Sequence, residues 1–443
     1  MKLWQKNSTI DDLFERFTIG DDPELDLYIA EFDVIGSIAH VKMLEKVGLL
    51  KKEESAKIVG GLNDIRKDIQ TGSFSISKGV EDCHSEIEFR LTQKLGDLGK
   101  KVHSGRSRND QVLTALKLFA RSGILNTAIL IKELFQILQS KSEAYKNVLM
   151  PGYTHMQVAM PSSFGLWFGA YAESLSDDLN QLKSAYEFVN RSPLGSAAGY
   201  GSSFPLDRDY SAELMGFDGL NVNSVYAQMN RGKMEKIVSH SIALVASTLA
   251  RWSMDVILYM GQDFSFLEID QKYTTGSSIM PHKNNPDGFE LVRAKCNQLQ
   301  SLPLEIGMIT TNLPTGYHRD FQQLKQHFIP AFQTIQDCLE ITRHMTESIR
   351  VRDSILDDSR YDLLFTVEKV NKLVAEGVPF RDAYKKVSQL IREGEYVPDR
   401  DIRHVHTGSI GNPGIERIRD DFTERWKFFE KEKERLSHLS TRI

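Results

Sequence analysis

Residues 112–138 read VLTALKLFARSGILNTAILIKELFQIL, and this stretch decides the class of fold. Its apolar side chains, from Val112 to Leu138, recur mostly at steps of three and four residues, which is the period of an α-helix. The apolar stripe is wide, as in a helix that is buried on much of its circumference. The pattern extends over residues 109–150 and predicts a helix about 60 Å long, with Gly123 as a candidate kink point.

Prolines divide the rest of the chain into segments of the same kind. Three long stretches lack proline, namely residues 24–150, 206–280 and 331–378, and such stretches favour long helices. Helical periodicity recurs over residues 163–190, Lys233–Met260, 286–311 and 320–351. We therefore predict an all-α protein in which five long helices form an up-and-down bundle.

The bundle forms the central one of three predicted helical domains. It occupies residues 104–352. Residues 1–103 contain shorter helical patterns with polar breaks, and residues 353–443 are again helical but more charged. These patterns predict an N-terminal helical domain and a small C-terminal helical domain.

The composition limits the class of partner. The chain has 443 residues, a net charge of −5 at pH 7 and a pI of about 6.2, without a long block of Lys and Arg. This balance disfavours a nucleic-acid-binding protein. No apolar run approaches the roughly 20 residues that span a bilayer, and the first residues lack a secretory signal, so we expect no membrane. Cys83, Cys296 and Cys338 are odd in number and far apart, which favours a reducing compartment and predicts a cytoplasmic protein.

The connection before the fourth long helix has an unusual composition. Residues 274–287 read TTGSSIMPHKNNPD. Small residues leave backbone N–H groups free to face an anion. Lys283 adds a cation, Asn285 adds a neutral donor, and Pro286 suits the first position of a helix. Donors that converge beside a helix N-terminus predict a site for carboxylate or enolate oxygens, and an ordinary flexible loop is the weaker alternative.

A second candidate anion site precedes the longest helix. Residues 103–111 read HSGRSRNDQ. Ser107, Arg108 and Asn109 at a helix start can bind a carboxylate, because the arginine fork pairs with both carboxylate oxygens. A helix cap with solvated charges is the alternative.

Two further connections carry candidate site residues. Residues 151–157, PGYTHMQ, contain Thr154 and His155 at the far end of the longest helix, although a histidine in a turn can equally be structural. Residues 313–325, LPTGYHRDFQQLK, bring Tyr317, Gln322 and Lys325 within one or two helical turns of each other. These three side chains could bind the polar end of a substrate, and a structural role is the alternative.

Other sequence signals for cofactors and metals are weak. Gly195, Gly199 and Gly201 do not match the dinucleotide fingerprint, because no strand is predicted before them. His404 and His406 could share a metal, but the sequence offers no evident third ligand, so a surface turn is favoured. We expect neither a metal nor an organic cofactor.

Several of these stretches resemble one known family. Residues 276–286, GSSIMPHKNNP, resemble the signature of the fumarase/aspartase superfamily, whose members cleave a C–N or C–O bond and mostly release fumarate. Within that superfamily, residues 104–112, SGRSRNDQV, are similar to the motif of the argininosuccinate lyases, and the resemblance extends from about residue 33 to residue 385. It implies an enzyme of arginine biosynthesis that converts L-argininosuccinate into L-arginine and fumarate.

The resemblance also implies a role for each candidate residue. Ser277 matches the base of the family and His155 matches its acid or proton relay, while Glu290 matches the carboxylate that orients the histidine. Lys283 and Asn285 would stabilise a doubly charged aci-carboxylate intermediate. The residues that would hold the substrate are Ser107, Arg108, Asn109, Thr154, Tyr317, Gln322 and Lys325.

A single chain cannot bring all these residues together. If the longest helix is continuous, Arg108 and His155 lie about 60 Å apart, whereas an extended substrate measures about 15 Å. Antiparallel packing of neighbouring chains would bring the two ends of the bundle together. The resemblance implies the same arrangement, a homotetramer whose active sites are each drawn from three chains.

Two other functions stay open at this point. Pro281, His282 and Lys283 are more like the adenylosuccinate lyases, which also release fumarate. A catalytically silent relative, as the lens crystallins of this family are, is the second alternative. The presence of Ser277 and His155 together argues against it.

Overall fold

A computed structural model describes residues 11–402 and 404–439, and over these ranges the protein is built almost entirely of α-helices. The predicted all-α class is confirmed. The α-helices are α1 (Asp12–Ile19), α2 (Asp22–Leu25), α3 (Ala30–Lys46), α4 (Lys52–Gln70), α5 (Cys83–Leu95), α6 (Asp97–Lys100), α7 (Arg108–Ala144), α8 (Phe164–Val189), α9 (Arg208–Leu214), α10 (Ser224–Met229), α11 (Lys233–Met260), α12 (Asp287–Leu299), α13 (Leu302–Ile309), α14 (Leu324–Glu347), α15 (Thr366–Ala375), α16 (Phe380–Glu393) and α17 (Ile415–Leu439). Short 3-10 helices lie at Asp26–Tyr28, Lys101–His103, Gln271–Tyr273, Arg319–Gln322, Ile355–Asp357 and Ser359–Phe365.

Two small antiparallel sheets accompany the helices. Strands β1 (Leu149–Thr154) and β2 (Gln157–Ser163) form a hairpin, and β3 (Leu267–Glu268) pairs with β4 (Arg350–Val351). The hairpin was not predicted from the sequence. Its two strands are short and contain Pro151 and Pro161, which are unfavourable in a sheet interior.

Helix α7 contains the stretch that predicted the fold. Ser107 caps its first turn, because its hydroxyl accepts a hydrogen bond from the Asn109 N–H while the Asp110 carboxylate accepts one from the Ser107 N–H. The helix is continuous across Gly123 and ends at Ala144. The predicted end at residue 150 is wrong, because strand β1 already begins at Leu149.

The core lies among α7, α8, α11 and α14. Helix α7 packs against α8 and α14, and α11 packs against α8, α12 and α14. Among the largest side chains of this core, Trp252, Phe168 and Phe328 are almost completely buried. This burial of apolar faces stabilises the bundle, because it removes large apolar areas from water.

The fourth of the predicted long helices is in fact two helices. Residues 286–311 form α12 and α13, so the prediction of five continuous helices is wrong at this point. Pro303 lies in the first turn of α13, where its missing N–H is not needed. A proline is unfavourable in a helix interior because it lacks an N–H and crowds the preceding turn, and α12 ends before Pro303.

The C-terminal helix α17 joins the central bundle. It packs against α7 and α8, where the rings of Phe135 and Phe422 stack with centroids 3.7 Å apart and the Tyr186 hydroxyl donates to Glu432. One apolar core runs across both predicted domain boundaries. The division into three domains therefore stays a prediction.

Two helices have the length and composition of a membrane span. These are α7 and α11. The most apolar 18-residue segment is 72% buried inside the protein in α7 and 50% buried in α11. Neither segment was predicted, because neither is an uninterrupted apolar run of about 20 residues. Their burial is that of helices in the core of a bundle, so they give only weak evidence for a membrane.

Candidate active site

One cavity opens where α7, α11 and α14 begin. Its volume is about 330 Å³. Five predicted substrate-binding residues line it, namely Arg108, Asn109, Tyr317, Gln322 and Lys325. The chain therefore brings together residues that are more than 200 positions apart in the sequence.

The sequence analysis missed the other residues of the cavity wall. These are Asp22, Gly79, Val80, Glu81, Asp82, Ser85, His103, Val112, Arg231 and Arg319. Most of them lie in segments without a recognisable motif. Arg319 could have been found, because it lies between Tyr317 and Gln322.

Lys325 is neutralised by carboxylates of its own chain. Its ammonium lies 2.7 Å from the Asp26 carboxylate and 3.3 Å from that of Asp22, and it is almost fully buried. Burial disfavours the charge, but the two carboxylates outweigh it and raise the pKa of Lys325 above its ordinary value. Burial in turn raises the pKa of Asp22 to about 6, although Lys325 opposes this shift. Lys325 therefore enters the cavity as a fixed ammonium.

Arg108 is held by three side chains at the cavity wall. Its guanidinium donates to the side-chain amide oxygen of Gln111 (3.1 Å) and to the Ser85 hydroxyl (3.2 Å), and it lies 3.7 Å from the Asp82 carboxylate. Burial disfavours the charge of Asp82, but Arg108, His84 and the hydrogen bonds from Ser85 together outweigh it and lower the pKa of Asp82 to about 2. Arg108 thus has a fixed orientation before any ligand binds.

Ser107 does not line the cavity. Its hydroxyl accepts the Asn109 N–H at 3.3 Å and caps α7, which is the alternative that the sequence analysis left open. Its role as a substrate ligand is a prediction that this geometry does not favour.

Thr154 and His155 lie at the tip of the β1–β2 hairpin. Thr154 pairs with Gln157 across a two-residue turn formed by His155 and Met156, and all four residues are exposed. His155 and Met156 have φ angles of 54° and 59°. Residues other than glycine rarely adopt this left-handed backbone conformation, and such backbone strain is concentrated at functional sites. The hairpin therefore presents His155 outward in a fixed position.

Ser277, Lys283 and Asn285 lie in a loop that a backbone bridge closes. Thr275 and Asn285 exchange two N–H···O bonds of 3.1 and 2.8 Å, so residues 276–284 form a closed loop. The Ser277 hydroxyl accepts hydrogen bonds from the N–H groups of Ile279 (3.4 Å) and Met280 (3.1 Å). In residues 11–402 and 404–439, neither the Lys283 ammonium nor the His155 ring has a hydrogen-bonding or ion-pair partner. Both groups are available for a ligand.

The candidate residues form two groups at opposite ends of the bundle. Arg108 begins α7, whereas the hairpin with His155 follows its far end, and 37 helical residues between them measure about 55 Å. The ring of Tyr153 contacts that of Phe264 with centroids 5.6 Å apart, so the hairpin lies beside the end of α11. Glu290 is exposed in the first turn of α12, directly after the 276–284 loop. One chain therefore does not unite the two groups.

One buried cluster has the residue types of a metal site. Ligand atoms of Asp26, Cys83 and His84 lie within 4.8 Å of one another. The Asp26 carboxylate already pairs with Lys325 and accepts the Cys83 N–H at 3.2 Å. An ion there would have to displace the Lys325 ammonium, so this cluster is accounted for by the ion pair.

Comparison with known proteins gives consistent results. A family model described as lyase matches residues 5–301. A curated argininosuccinate lyase from Bacteroides fragilis is 56% identical over 411 residues, which cover 93% of this chain and 92% of that protein. One from Thermotoga neapolitana is 39% identical over 388 residues, which cover 88% of this chain and 98% of that protein.

Solved structures support the fold. An EDDS lyase in complex with formate superposes with a TM-score of 0.77 at 22% identity, covering 96% of this chain and 92% of that chain. A class II fumarase from Schistosoma mansoni superposes with a TM-score of 0.70 at 16% identity, covering 87% and 92%. At such low identities the likeness concerns the fold alone.

Proposed function

Because the chain belongs to the argininosuccinate lyase family of the fumarase/aspartase superfamily, we propose that its candidate residues carry out the β-elimination of L-argininosuccinate. The protein is a carbon–nitrogen lyase of arginine biosynthesis that releases L-arginine and fumarate. The observation that carries this conclusion is sequence identity of more than half over nine-tenths of the chain. This identity to argininosuccinate lyases disfavours the adenylosuccinate lyase alternative.

The reaction requires a base, an anion-stabilising site and an acid. The base removes a proton from the succinyl carbon beside a carboxylate, and the electrons form an aci-carboxylate with two negative charges. The C–N bond then breaks, the double bond of fumarate forms, and an acid protonates the nitrogen that leaves with arginine. Stabilising the dianion is the hardest requirement, because the substrate carboxylate is already charged.

Ser277 is our candidate base. A hydroxyl is a weak base unless nearby donors and cations favour its alkoxide. The N–H of Met280 already donates to its oxygen at 3.1 Å, and Lys283 lies in the same closed loop. These groups favour the alkoxide of Ser277, which then takes the proton from the substrate carbon.

Lys283 and Asn285 are our candidates for stabilising the aci-carboxylate. Lys283 is exposed in the loop, and the Asn285 side-chain amide makes only a long contact of 3.4 Å with the Gly276 carbonyl. A cation and an amide donor on one closed loop can stabilise the charge that develops on the same carboxylate.

His155 and Glu290 complete the proton transfers. An imidazole changes its charge near neutral pH and can donate a proton to a leaving nitrogen. We propose that Glu290 orients His155, because both side chains are exposed at the same end of the bundle. His155 is our candidate for the acid that protonates the leaving nitrogen or for the relay that carries the proton to it.

The cavity at the other end suits the arginine part of the substrate. Arg108 is a pre-oriented guanidinium that can pair with a carboxylate. The Lys325 ammonium, already paired with Asp26 and Asp22, can donate a hydrogen bond, and Asn109, Tyr317 and Gln322 offer neutral hydrogen-bonding groups. Thr154, at the hairpin tip, would complete the binding of the substrate from a neighbouring subunit.

We propose a homotetramer in which neighbouring subunits share each site. The two groups of candidate residues are separated by about 55 Å along α7, far more than the length of the substrate. Large apolar side chains on the adjoining helices α11, α12 and α13 are exposed, namely Leu244, Met254, Leu291, Leu304 and Met308. An apolar surface of this kind supports burial against further copies of the chain.

We also propose that the enzyme works in the cytoplasm. All three cysteines are buried and free, which is typical of proteins in a reducing compartment.

A substrate panel tests the proposed function. The purified enzyme should release fumarate from argininosuccinate, measured by ultraviolet absorbance, and should leave adenylosuccinate unchanged. Turnover of adenylosuccinate alone would contradict the assignment. An assembled enzyme that is inert toward both substrates would favour the crystallin-like alternative.

A further inference from the structure

Arg319 connects three segments at the rim of the cavity. Its Nε donates to the side-chain oxygen of Gln322 (3.0 Å), and its Nη2 donates to the Thr18 carbonyl (2.8 Å). The same Nη2 pairs with the Glu81 carboxylate. Arg319, Glu81 and Gln322 all line the cavity.

The contact with Arg319 fixes the orientation of the Gln322 amide. A guanidinium can only donate hydrogen bonds, so the oxygen of the amide must face it. The Nε2 group of Gln322 then points the other way and donates to the carbonyls of Thr18 (2.9 Å) and Ile19 (3.0 Å). Gln322 therefore lines the cavity with its side-chain amide already oriented.

The same contacts hold the end of helix α1 at the rim. None of the residues of α1 is buried, so burial contributes little to its position. Three hydrogen bonds from Arg319 and Gln322 reach its last residues, Thr18 and Ile19. Glu81 belongs to the neighbouring segment of the cavity wall, residues 79–82.

We propose that Arg319 is a positioning residue for substrate binding. It orients Gln322 and holds the rim segments at residues 18–19 and 79–82 together. This inference rests on the proposed use of the cavity for the arginine part of the substrate. These simultaneous contacts require arginine. A planar guanidinium donates hydrogen bonds in several fixed directions at once, whereas a lysine ammonium is a single point charge.

The first test is the Arg319→Gln variant. We expect KM for argininosuccinate to rise about tenfold, as for the loss of a charge-assisted hydrogen bond, while kcat changes less than about twofold because binding energy alone is lost. Product inhibition by arginine should weaken by the same factor, and inhibition by fumarate should not change. An unchanged KM would overturn the proposal.

Arg425→Gln is the matched control. Arg425 also pairs with a carboxylate, that of Asp177, and donates to a backbone carbonyl, that of Ser176, but it lies outside the cavity. Its variant should keep the KM of the wild-type enzyme. An equal rise of KM in both variants would show a general structural effect and contradict a specific role of Arg319.

A double-mutant cycle separates positioning from other roles. If Arg319 acts through Gln322, Arg319→Gln should cause little further loss in a Gln322→Ala background. Full additivity of the two effects would overturn the proposal. Arg319→Lys keeps a charge beside Glu81, so complete recovery of KM in that variant would also contradict the orientation of Gln322 by the guanidinium.

Failure of the inference can be told from failure of the proposed function. If Gln322→Ala raises KM but Arg319→Gln does not, the cavity binds substrate and only the positioning role of Arg319 is wrong. If neither Gln322→Ala nor Arg108→Gln changes KM, the cavity does not bind the substrate, and both conclusions fall.

Discussion

At the scale of single residues, Ser277 gives the sharpest test of the chemistry. Its hydroxyl accepts hydrogen bonds from N–H groups within its own loop and does not contribute to the packing of the helices. We expect Ser277→Ala to lower kcat by about 10²–10⁴-fold, the range for loss of a general base, with an unchanged melting temperature and oligomeric state.

The neighbouring serine provides the control for that variant. Ser278 is exposed in the same loop, and no proton transfer is assigned to it, so Ser278→Ala should retain most of the activity. Normal turnover by Ser277→Ala in a steady-state assay would remove the proposed base.

The ion-pair partners of Lys325 cannot be inferred from its position in the sequence. Its motif makes it a candidate ligand, but its pairing with Asp26 and Asp22 depends on residues about 300 positions away. Because both carboxylates hold the ammonium, a charge at this position is fixed by the fold before substrate arrives.

At the scale of elements, Gly123 allows α7 and α14 to approach each other closely. A Cβ atom at this position would lie 2.5 Å from the ring of Phe332. The predicted kink does not interrupt α7, which is continuous from Arg108 to Ala144. The glycine therefore serves packing and does not break the helix.

This packing leads to a prediction of stability. Gly123→Ala should lower the free energy of unfolding by about 1–3 kcal/mol, because the added methyl group overpacks a buried aromatic contact. Gly60→Ala in α4 is the control, since a Cβ there meets nothing within 4 Å, and it should stabilise the protein by about 0.5–1 kcal/mol. Urea denaturation measures both. Equal effects of the two substitutions would show that the contact with Phe332 is unimportant.

At the scale of the whole molecule, the two ends of the bundle are complementary halves of the proposed site. Ser277 lies at one end and Arg108 at the other, about 55 Å away along α7. Two variants that are impaired at opposite ends of the bundle should therefore restore each other when their subunits mix.

Subunit mixing gives a quantitative prediction. Ser277→Ala and Arg108→Gln, co-expressed in equal amounts, should recover roughly a quarter of the wild-type activity if the two residues of a site come from different chains. Ser277→Ala mixed with Asn285→Ala should recover none, because one chain supplies that whole loop. Absence of recovery in the first mixture would contradict the shared site.

The sequence by itself determined the helical class and most of the chemical groups. Residues 112–138 predicted a helix because apolar side chains at a period of 3.6 residues are a local property of the chain. The same holds for the loop around Ser277 and Lys283, whose residue types already indicate an anion site. These features depend on neighbours in the sequence, so no distant contact was needed to find them.

Only the tertiary structure decided how these groups are arranged. The partners of Lys325 and Arg319, the strained hairpin that presents His155 and the break before Pro303 each depend on contacts between distant segments or on the exact ends of elements. Periodicity fixes which face of a helix is buried, but it does not specify which helix or loop covers that face.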